Sequence, residues 1–397
     1  MHRRPNATVM TNGATKVRAD CETSDHRPME RHMRRRSGPR PEAVLVALAI
    51  IVAGTLGSGA GQSHAQDNTG TYRLDESWPQ YPLGSQFEMG SGIAVDARGI
   101  VYAISRDRDH WAGHPLSMTR YRGTGSIWMF DRSGTYLGKF AEDQEFIGPH
   151  SLYIDGEGFV WVVDRDGHQV TKLTPDGTPV LTLGEYGTYG NDESHFNGPT
   201  GVAFLPGGDF VVADGYWNSR LVWFDADGEF LKQVGEYGNG PGQLGVVHAV
   251  ALDARGRLLV ANVCGGALHP YVTVRGQIAE ERLQPIPGCT SRFDVFNQDG
   301  SYEGPWSVVG GTLTLSIAAY GNRIFAGTTG SERGRQDLVI VNAETDTVVD
   351  IIRSADVYVH QMALDPTSGD IYVASVYPEH GGESRGPEGP SFVRWTR

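Results

Sequence analysis

Gly148-Pro-His-Ser-Leu152, which runs on into Leu152-Tyr-Ile-Asp-Gly-Glu-Gly-Phe159, is the stretch that predicts the fold. A His stands two residues before an apolar, alternating segment that ends in a Gly-containing turn. The same arrangement recurs in Val247-His-Ala-Val250 and in Val359-His-Gln-Met362. Alternation of this kind is typical of short β-strands. The sequence therefore predicts a repeated β unit with His150, His248 and His360 at one equivalent position.

The repeat unit is a series of short β segments separated by Gly-containing turns. Its clearest copies are 152–183 and 202–234, whose hairpin turns are Thr174-Pro-Asp-Gly177 and Asp225-Ala-Asp-Gly228. Counted by their first strands, the six copies begin at Ile93, Leu152, Val202, Val250, Ile317 and Met362. Four strands per copy without helical periodicity predict an all-β, six-bladed β-propeller over residues 70–397. A straight solenoid is the alternative, but the polar caps that it needs are missing.

The two ends of the predicted propeller are expected to meet, because the ring of blades must close. Tyr72-Arg-Leu-Asp-Glu-Ser-Trp78 is predicted to add a strand to the blade that ends in Phe392-Val-Arg-Trp395. A chain of 397 residues with 39% hydrophobic content is long enough to bury the core of such a ring.

Three histidines fall in one column when the six copies are aligned two residues before their first-strand anchors. The column reads Ser91, His150, Thr200, His248, Leu315 and His360. Alternate blades of a six-bladed ring lie about 120° apart, so three imidazoles would converge on the central axis. Three His with an open fourth position are the ligand set of a catalytic zinc. The alternative is three surface or hydrogen-bonded core histidines.

A second column lies thirteen residues after the anchors, where the second strand of each blade ends. It reads Arg106, Arg165, Gly215 and Val263, with Tyr216 and Arg220 close behind in the third copy. Arg106 and Arg165 are candidates for binding an anionic substrate. Tyr216 is a candidate base, since a metal and an Arg nearby would lower its pKa. Alternatively, the arginines pair with Asp residues of neighbouring blades and Tyr216 packs.

Residues 1–66 have the composition of a leader. Five arginines lie in Arg31–Arg40, an uncharged apolar run of 14 follows at Ala43–Leu56, and Ser63-His-Ala65 suits a cleavage site. We expect a signal peptide with its true start at Met29 or Met33, and a secreted or periplasmic protein. An uncleaved anchor is the alternative, although the apolar run is short for a bilayer.

The net charge of the chain becomes more negative without the leader. The remaining residues carry 24 Lys+Arg and 42 Asp+Glu, a net charge of −18. Such an acidic surface argues against nucleic acid and anionic membranes as partners. We expect a monomer that acts on a small-molecule or peptide substrate.

Two of the three cysteines, Cys264 and Cys289, lie outside the leader. They bracket a segment that breaks the repeat pattern, so we expect a disulfide that closes an inserted loop. A bridge over this length contributes about 3 kcal/mol in the chain-entropy model. Two unpaired thiols are the alternative.

Several quoted segments carry a pattern that is specific in the second and third copies. They are Pro149-His-Ser-Leu152, Val160-Trp-Val-Val-Asp164, His168-Gln-Val-Thr-Lys172, His195-Phe-Asn-Gly-Pro-Thr200 and Asp214-Gly-Tyr-Trp-Asn-Ser-Arg-Leu221, together with Trp78-Pro-Gln-Tyr-Pro-Leu83 before Ile93 and Arg106 with Trp111 and Gly113. These segments resemble the NHL-type propeller of peptidyl-α-hydroxyglycine α-amidating lyase. The resemblance covers most of residues 72–262 and resumes at His360.

The resemblance implies a zinc ion at His150, His248 and His360, a catalytic Tyr216 and a substrate-binding Arg106. Enzymes of that family split a C-terminal α-hydroxyglycine into a peptide amide and glyoxylate. The metal would acidify the substrate hydroxyl, Tyr216 would take its proton, and Arg106 would hold the carboxylate as the carbon–nitrogen bond breaks. A partner monooxygenase would have to make the hydroxyglycine.

The sequence departs from the family pattern at several site positions. Where the family has a second active-site Arg, this chain has Val263, preceded by Asn262 instead of Asp. Where the family has an Asp that helps hold a structural calcium, this chain has Gln361. A family Met is replaced by Tyr358, and a family disulfide Cys is replaced by Trp217. The backbone carbonyls of Ile93 and Leu152 remain candidates for calcium, without that charged ligand.

Two other functions remain open. A non-enzymatic propeller could bind protein or glycan through its rim loops, and it would hold no stoichiometric metal. A metal-dependent hydrolase or lactonase on this architecture would use oxygen ligands, which the His column disfavours.

The Gly/Pro-rich segment 377–390 is either a loop that gates the channel mouth or a plain surface loop.

Overall fold

We describe a computed structural model of the chain, which covers residues 71–83, 89–106, 126–264, 288–310, 314–329, 336–354, 357–375 and 391–397. The predicted leader, Trp111, Gly113, most of the loop between Cys264 and Cys289, and segment 377–390 lie outside the described residues. Every regular element within these ranges is a β-strand. The described part of the chain contains no helix long and apolar enough to cross a membrane.

The strands form six four-stranded antiparallel sheets, which are the six predicted blades. Blade one contains β2 (Met89–Val95), β3 (Val101–Arg106), β4 (Ser126–Phe130) and β5 (Tyr136–Phe140). Blade two contains β6 (Pro149–Ile154), β7 (Val160–Asp164), β8 (Gln169–Leu173) and β9 (Pro179–Leu183). Blade three contains β10 (Pro199–Phe204), β11 (Phe210–Asp214), β12 (Arg220–Phe224) and β13 (Phe230–Val234).

The remaining blades follow the same order. Blade four contains β14 (Val246–Leu252), β15 (Arg257–Val263), β16 (Arg292–Asn297) and β17 (Tyr302–Pro305). Blade five contains β18 (Thr314–Tyr320), β19 (Arg323–Thr329), β20 (Gln336–Asn342) and β21 (Thr347–Ser354). Blade six contains β22 (Val359–Leu364), β23 (Ile371–Ser375), β24 (Phe392–Thr396) and β1 (Arg73–Asp75). The first strands of successive blades contact one another around a closed ring, so they line the centre.

The predicted closure of the ring is confirmed, because β1 pairs with β24 although they lie at opposite ends of the chain. Arg73 stands opposite Thr396, and Asp75 stands opposite Arg394. The carboxylate of Asp75 also accepts a hydrogen bond from the Arg394 guanidinium. The N-terminal strand therefore supplies the outer edge of the last blade.

The hydrophobic core lies between adjacent blades. Ile104 of blade one packs in one buried cluster with Val162 of blade two, and Phe130 of blade one packs in another with Tyr372 of blade six. The second strand of each blade faces apolar neighbours on both sides, which explains continuous apolar runs such as Val160-Trp-Val-Val. The solvent-exposed faces lie mostly on the outer strands, where burial alternates along the chain.

The predicted disulfide between Cys264 and Cys289 is present, with their Cα atoms 5.4 Å apart. Cys264 follows the last residue of β15, and Cys289 precedes β16. The bridge therefore joins the two ends of the inserted segment where it leaves and re-enters blade four.

Candidate metal centre and active site

Each innermost strand carries an irregularity at the column position. Its pairing with the second strand shifts register between Gly90 and Ile93, Pro149 and Ser151, Pro199 and Gly201, Val247 and Ala249, Thr314 and Ser316, and Val359 and Gln361. A residue at a β-bulge leaves the regular alternation, which re-aims its side chain. The bulges explain how His150, His248 and His360 converge while the flanking residues keep their places in the blades.

The three predicted histidines meet at the centre of the ring. Their side chains are buried, and the centroids of their imidazole rings lie 4.6 to 4.9 Å apart. One ligand nitrogen from each residue lies within 4.8 Å of the other two. A common point therefore lies at most about 2.8 Å from each nitrogen, and a small inward movement would reach the 2.0–2.1 Å of zinc–nitrogen bonds. The residues present therefore fit zinc.

The other ring nitrogen of each axial histidine is held by the backbone of the following blade. Nδ1 of His150 donates to the carbonyl of Thr200 at 3.0 Å, Nδ1 of His248 donates to Leu315 at 2.7 Å, and Nδ1 of His360 donates to Ser91 at 2.6 Å. A carbonyl only accepts, so Nδ1 carries the proton and Nε2 keeps its lone pair. Such contacts orient metal ligands.

These acceptors are the column residues that are not histidine, and sequence reasoning missed their role. The atom that acts is a main-chain oxygen, which any residue supplies. The only signal in the sequence is that histidine and non-histidine residues alternate in the column from one blade to the next. That alternation could have suggested that each non-histidine blade holds the histidine of its neighbour.

Burial keeps the axial imidazoles neutral. It lowers the pKa of His248 to about 4, with nearby Arg165 and Arg106 acting in the same direction. Burial and the neighbouring histidines hold the pKa of His150 well below its ordinary value, and His360 is lowered in the same way. Neutral imidazoles are the form that binds a metal ion, so the centre is ready for one near neutral pH.

Tyr216 lies beside two of the axial histidines. Its Oη is 3.4 Å from Nε2 of His150 and 3.3 Å from Nε2 of His248. A side chain at Gly215 would place Cβ only 1.7 Å from the carbonyl oxygen of Val247, so glycine permits this close approach of blades three and four. Burial raises the pKa of the Tyr216 phenol, whereas the charges of Arg165 and Arg106 favour its ionised form.

Two buried arginines complete the group around Tyr216. Arg106 ends β3, and its guanidinium donates to the carbonyls of Pro149 at 2.5 Å and Gly148 at 3.3 Å. Burial, reinforced by Arg165, lowers the pKa of Arg106 to about 9. The Arg165 guanidinium lies 4.9 Å from the centre of the Tyr216 ring. The two predicted anion-binding residues are therefore both buried near the phenol, and Arg165 lies over its ring.

Arg165 pairs with the adjacent Asp166 through two hydrogen bonds of 2.8 Å. Burial acts to lower the pKa of Arg165, but Asp166 more than offsets it, so Arg165 keeps its charge. Arg220 does not join the group, because it pairs with Asp214 at 2.8 Å inside blade three. The interpretation of arginines paired with aspartates thus applies to Arg220 and in part to Arg165, although the partners belong to their own blades.

Apolar side chains also pack against Tyr216. Tyr216 packs in a buried cluster with Trp217, Val263 and Leu315. Val263 stands at the column position where an Arg was expected from the resemblance. Positive charge at this site therefore comes from blades one and two, and blade four supplies His248 and the apolar Val263.

Calcium at Ile93 and Leu152 stays a prediction, and the side-chain arrangement does not fit it. The carbonyl oxygen of Leu152 accepts a hydrogen bond of 2.6 Å from Nε2 of Gln361. An N–H donor that faces this carbonyl excludes a cation from the same position.

The fold and the site define a six-bladed β-propeller with a three-histidine axial centre. The NHL repeat family model matches residues 196–224. The fold is also found in a gluconolactonase from Xanthomonas campestris, with a TM-score of 0.50 over 78% of this chain and 86% of that chain at 11% identity.

In sequence the chain resembles peptidyl-α-hydroxyglycine α-amidating lyases. It is 45% identical over 180 residues to lyase 1 of that name from Drosophila melanogaster, covering 41% of this chain and 31% of that protein. It is 35% identical over 232 residues to the peptidylglycine alpha-amidating monooxygenase of Rattus norvegicus, covering 54% of this chain and 24% of that protein. The chain thus spans less than a third of the length of both relatives.

Proposed function

We propose that this protein is a zinc-dependent lyase that cleaves the carbon–nitrogen bond of a C-terminal α-hydroxyglycine, or of a similar hemiaminal, to an amide and glyoxylate. The observation that carries the proposal is the position of the Tyr216 phenol, 3.3 and 3.4 Å from two ligand nitrogens of a three-histidine centre. The similarity to named lyases supports the same reaction class.

His150, His248 and His360 would hold the zinc ion through Nε2. When bound, zinc supplies a positive charge that acidifies a coordinated hydroxyl and favours the ionised form of a neighbouring phenol. Arg165 and Arg106 add to that effect on Tyr216. The buried phenol can therefore act as a base, although burial alone raises its pKa.

Proton transfer at Tyr216 accounts for the bond changes. The Tyr216 oxygen takes the proton of the substrate hydroxyl, and the carbon–oxygen bond becomes a carbonyl as the carbon–nitrogen bond breaks. The electrons of that bond go to the amide nitrogen, which takes the proton back from Tyr216. The products are the amide and glyoxylate, and Tyr216 ends as the phenolate with which it began.

Arg106 and Arg165 are proposed to bind the substrate carboxylate. Both guanidiniums are buried, so an anion bound there would be shielded from water and its electrostatic attraction would be strong. Arginine presents a planar pair of donors that matches a carboxylate. The carboxylate would then hold the hydroxyl carbon between the arginines and the histidine centre.

The test is metal analysis of the purified protein followed by glyoxylate release from an N-acyl-α-hydroxyglycine. We expect about one zinc per chain, and a loss of turnover of about 10²–10⁴-fold in Tyr216→Phe because the general base is removed. Tyr189→Phe, on an exposed residue, is the matched control and should turn over normally. Zinc without glyoxylate release would mean another substrate, and protein without metal would favour a binding scaffold.

Export is part of the proposal. We propose that residues 1–66 are a cleaved leader and that the propeller acts in a secreted or periplasmic location, as the disulfide supports. N-terminal sequencing of the protein recovered from the exported fraction should begin close to Gln66. Recovery of an intact leader on membranes would favour the anchor.

A further inference from the structure

The side chain of Gln361 joins three innermost strands. It lies on β22, and its Oε1 accepts hydrogen bonds from the backbone N–H groups of Ile93 on β2 at 2.9 Å and of Leu152 on β6 at 3.0 Å. Its Nε2 donates to the carbonyl of Leu152 at 2.6 Å. Gln361 is buried. One amide group therefore connects blades six, one and two.

This connection lies next to the histidine centre. Gln361 follows His360 directly, and Leu152 lies two residues after His150 on the same strand. Ile93 lies two residues after Ser91, whose carbonyl holds Nδ1 of His360. The Gln361 amide thus fixes the spacing between the strands that carry two of the three ligands.

The local backbone is shaped for the amide. A Cβ at Gly92 would lie 3.1 Å from Oε1 of Gln361, 3.0 Å from Cα of Ser151 and 2.6 Å from a methyl group of Ile104. The glycine therefore lets β2 approach β6 and the Gln361 side chain closely. The three hydrogen bonds depend on this approach.

Only an amide satisfies the groups that meet here. An amide offers a donor and an acceptor side by side, which matches the N–H and C=O of Leu152. A carboxylate has no donor when ionised, and it would set a negative oxygen against the Leu152 carbonyl. A cation between those oxygens would remove the repulsion, because calcium binds carboxylate and carbonyl oxygens at 2.3–2.6 Å. Gln361 and a calcium ion are therefore alternative occupants of one place.

We propose that Gln361 is a positioning residue for the metal centre, a neutral cross-link that takes the place of an axial calcium ion and makes the propeller independent of calcium. The effect on zinc rests on the proposed zinc centre. The independence from calcium does not, since it concerns only the hydrogen bonds between the strands.

The experiment compares the wild type with Gln361→Asp and Gln361→Asn, two variants of equal size that differ in charge. The protein is stripped of metal and then loaded with zinc in buffer that a chelating resin has freed of calcium, and thermal unfolding is followed with and without about 1 mM calcium chloride. We expect calcium to leave the wild type and Gln361→Asn unchanged. It should raise the Tm of Gln361→Asp by at least about 2 °C, because the shorter carboxylate leaves room for the ion.

A second measurement separates this proposal from the proposed zinc site. Zinc affinity, measured by competition with a chromophoric chelator, should fall about tenfold or more in calcium-free Gln361→Asp, and calcium should restore it. A wild type stabilised by calcium would overturn the proposal, whether or not either variant folds. If the wild type binds no zinc and its Tm does not respond to calcium, the cross-link is still supported. Only the predicted effect of Gln361 on zinc affinity would then be disproved, together with the proposed function.

Discussion

At the scale of single residues, the same side chain behaves in opposite ways at different places in this chain. His195 is half-buried on a loop, where the hydrogen bonds that its imidazole donates to Asp192 and Glu185 raise its pKa. His248 is buried on the axis, where loss of water lowers its pKa to about 4. The raised pKa of His195 favours its charged form, whereas the lowered pKa of His248 keeps it neutral, with a lone pair for a metal. Burial and position determine the role of each histidine.

His248→Ala should abolish metal binding, because it removes one of three ligands and leaves two that cannot enclose the ion. We expect zinc to fall from about one per chain to below about a tenth, measured by mass spectrometry of the dialysed protein. His195→Ala is the control and should keep its zinc. Equal zinc in both variants would place the metal elsewhere.

Arg165→Met should weaken binding of the substrate carboxylate. Loss of a charged hydrogen bond should lower kcat/KM for an N-acyl-α-hydroxyglycine by about 10- to 100-fold. Arg165→Lys should recover only part of this, because lysine lacks the planar pair of donors. Equal losses with a substrate whose carboxylate is replaced by an amide would show that Arg165 acts only through Tyr216.

At the scale of structural elements, a side-chain oxygen near the end of the second strand accepts backbone hydrogen bonds in three blades. The residue is Asp in two of these blades and Asn in the third. Asp164 accepts hydrogen bonds from the backbone of Ile147 and Gly148, and Asp214 accepts one from Asn197. In blade four the equivalent residue is Asn262, whose Oδ1 accepts from Gly245 and whose Nδ2 donates to Asp294 at 2.7 Å. Blade four has Asn262 instead of Asp because its side chain must donate a hydrogen bond to the nearby Asp294 carboxylate.

Asn262→Asp should therefore destabilise blade four, although it restores the residue type of blades two and three. Two buried carboxylates would meet where an N–H now donates, at a cost of about 1–3 kcal/mol in the free energy of unfolding. Urea unfolding at neutral pH measures this loss. Repulsion raises the pKa of one carboxyl, so the loss should shrink as the pH falls and that group binds a proton.

The matched control for this prediction is Asn191→Asp, on an exposed loop, which should leave the unfolding curve unchanged. The double variant Asn262→Asp with Asp294→Asn should recover part of the loss. A pH-independent loss of the same size would point to packing instead of charge.

At the scale of the whole molecule, the ring depends on β1. Deleting the chain through Asp75 removes the pairing with Arg394–Thr396 and also the buried ring of Tyr72, which packs in the core of blades five and six. Loss of a buried aromatic side chain alone costs about 3–5 kcal/mol. Thermal unfolding should show a lower Tm and aggregation through the exposed edge of β24.

The control is a chain that begins at Thr71, which keeps β1 and should unfold like the longer protein. An unchanged Tm after deletion through Asp75 would mean that the ring is stable without this closing strand.

The sequence by itself determined the blade repeat, the ring closure, the disulfide and the column that brings three histidines together. These follow from periodicity and spacing, because the alternation of apolar residues specifies strands and equal spacing specifies equivalent positions. Arg106, Arg165 and Tyr216 were placed near one another by the same reasoning. No knowledge of side-chain contacts was needed for those predictions.

Only the tertiary structure decided how the centre is held. The carbonyls that orient the histidines and the amide cross-link of Gln361 join residues between 50 and 269 positions apart, and the β-bulges set the direction of the column side chains. Contacts made by main-chain atoms cannot be read from the sequence, since every residue has the same main-chain atoms. The closure of six blades into a ring decides which main-chain atoms contact which side chains. That geometry puts the Gln361 amide against the Leu152 carbonyl, where the sequence alone left calcium binding as a possibility.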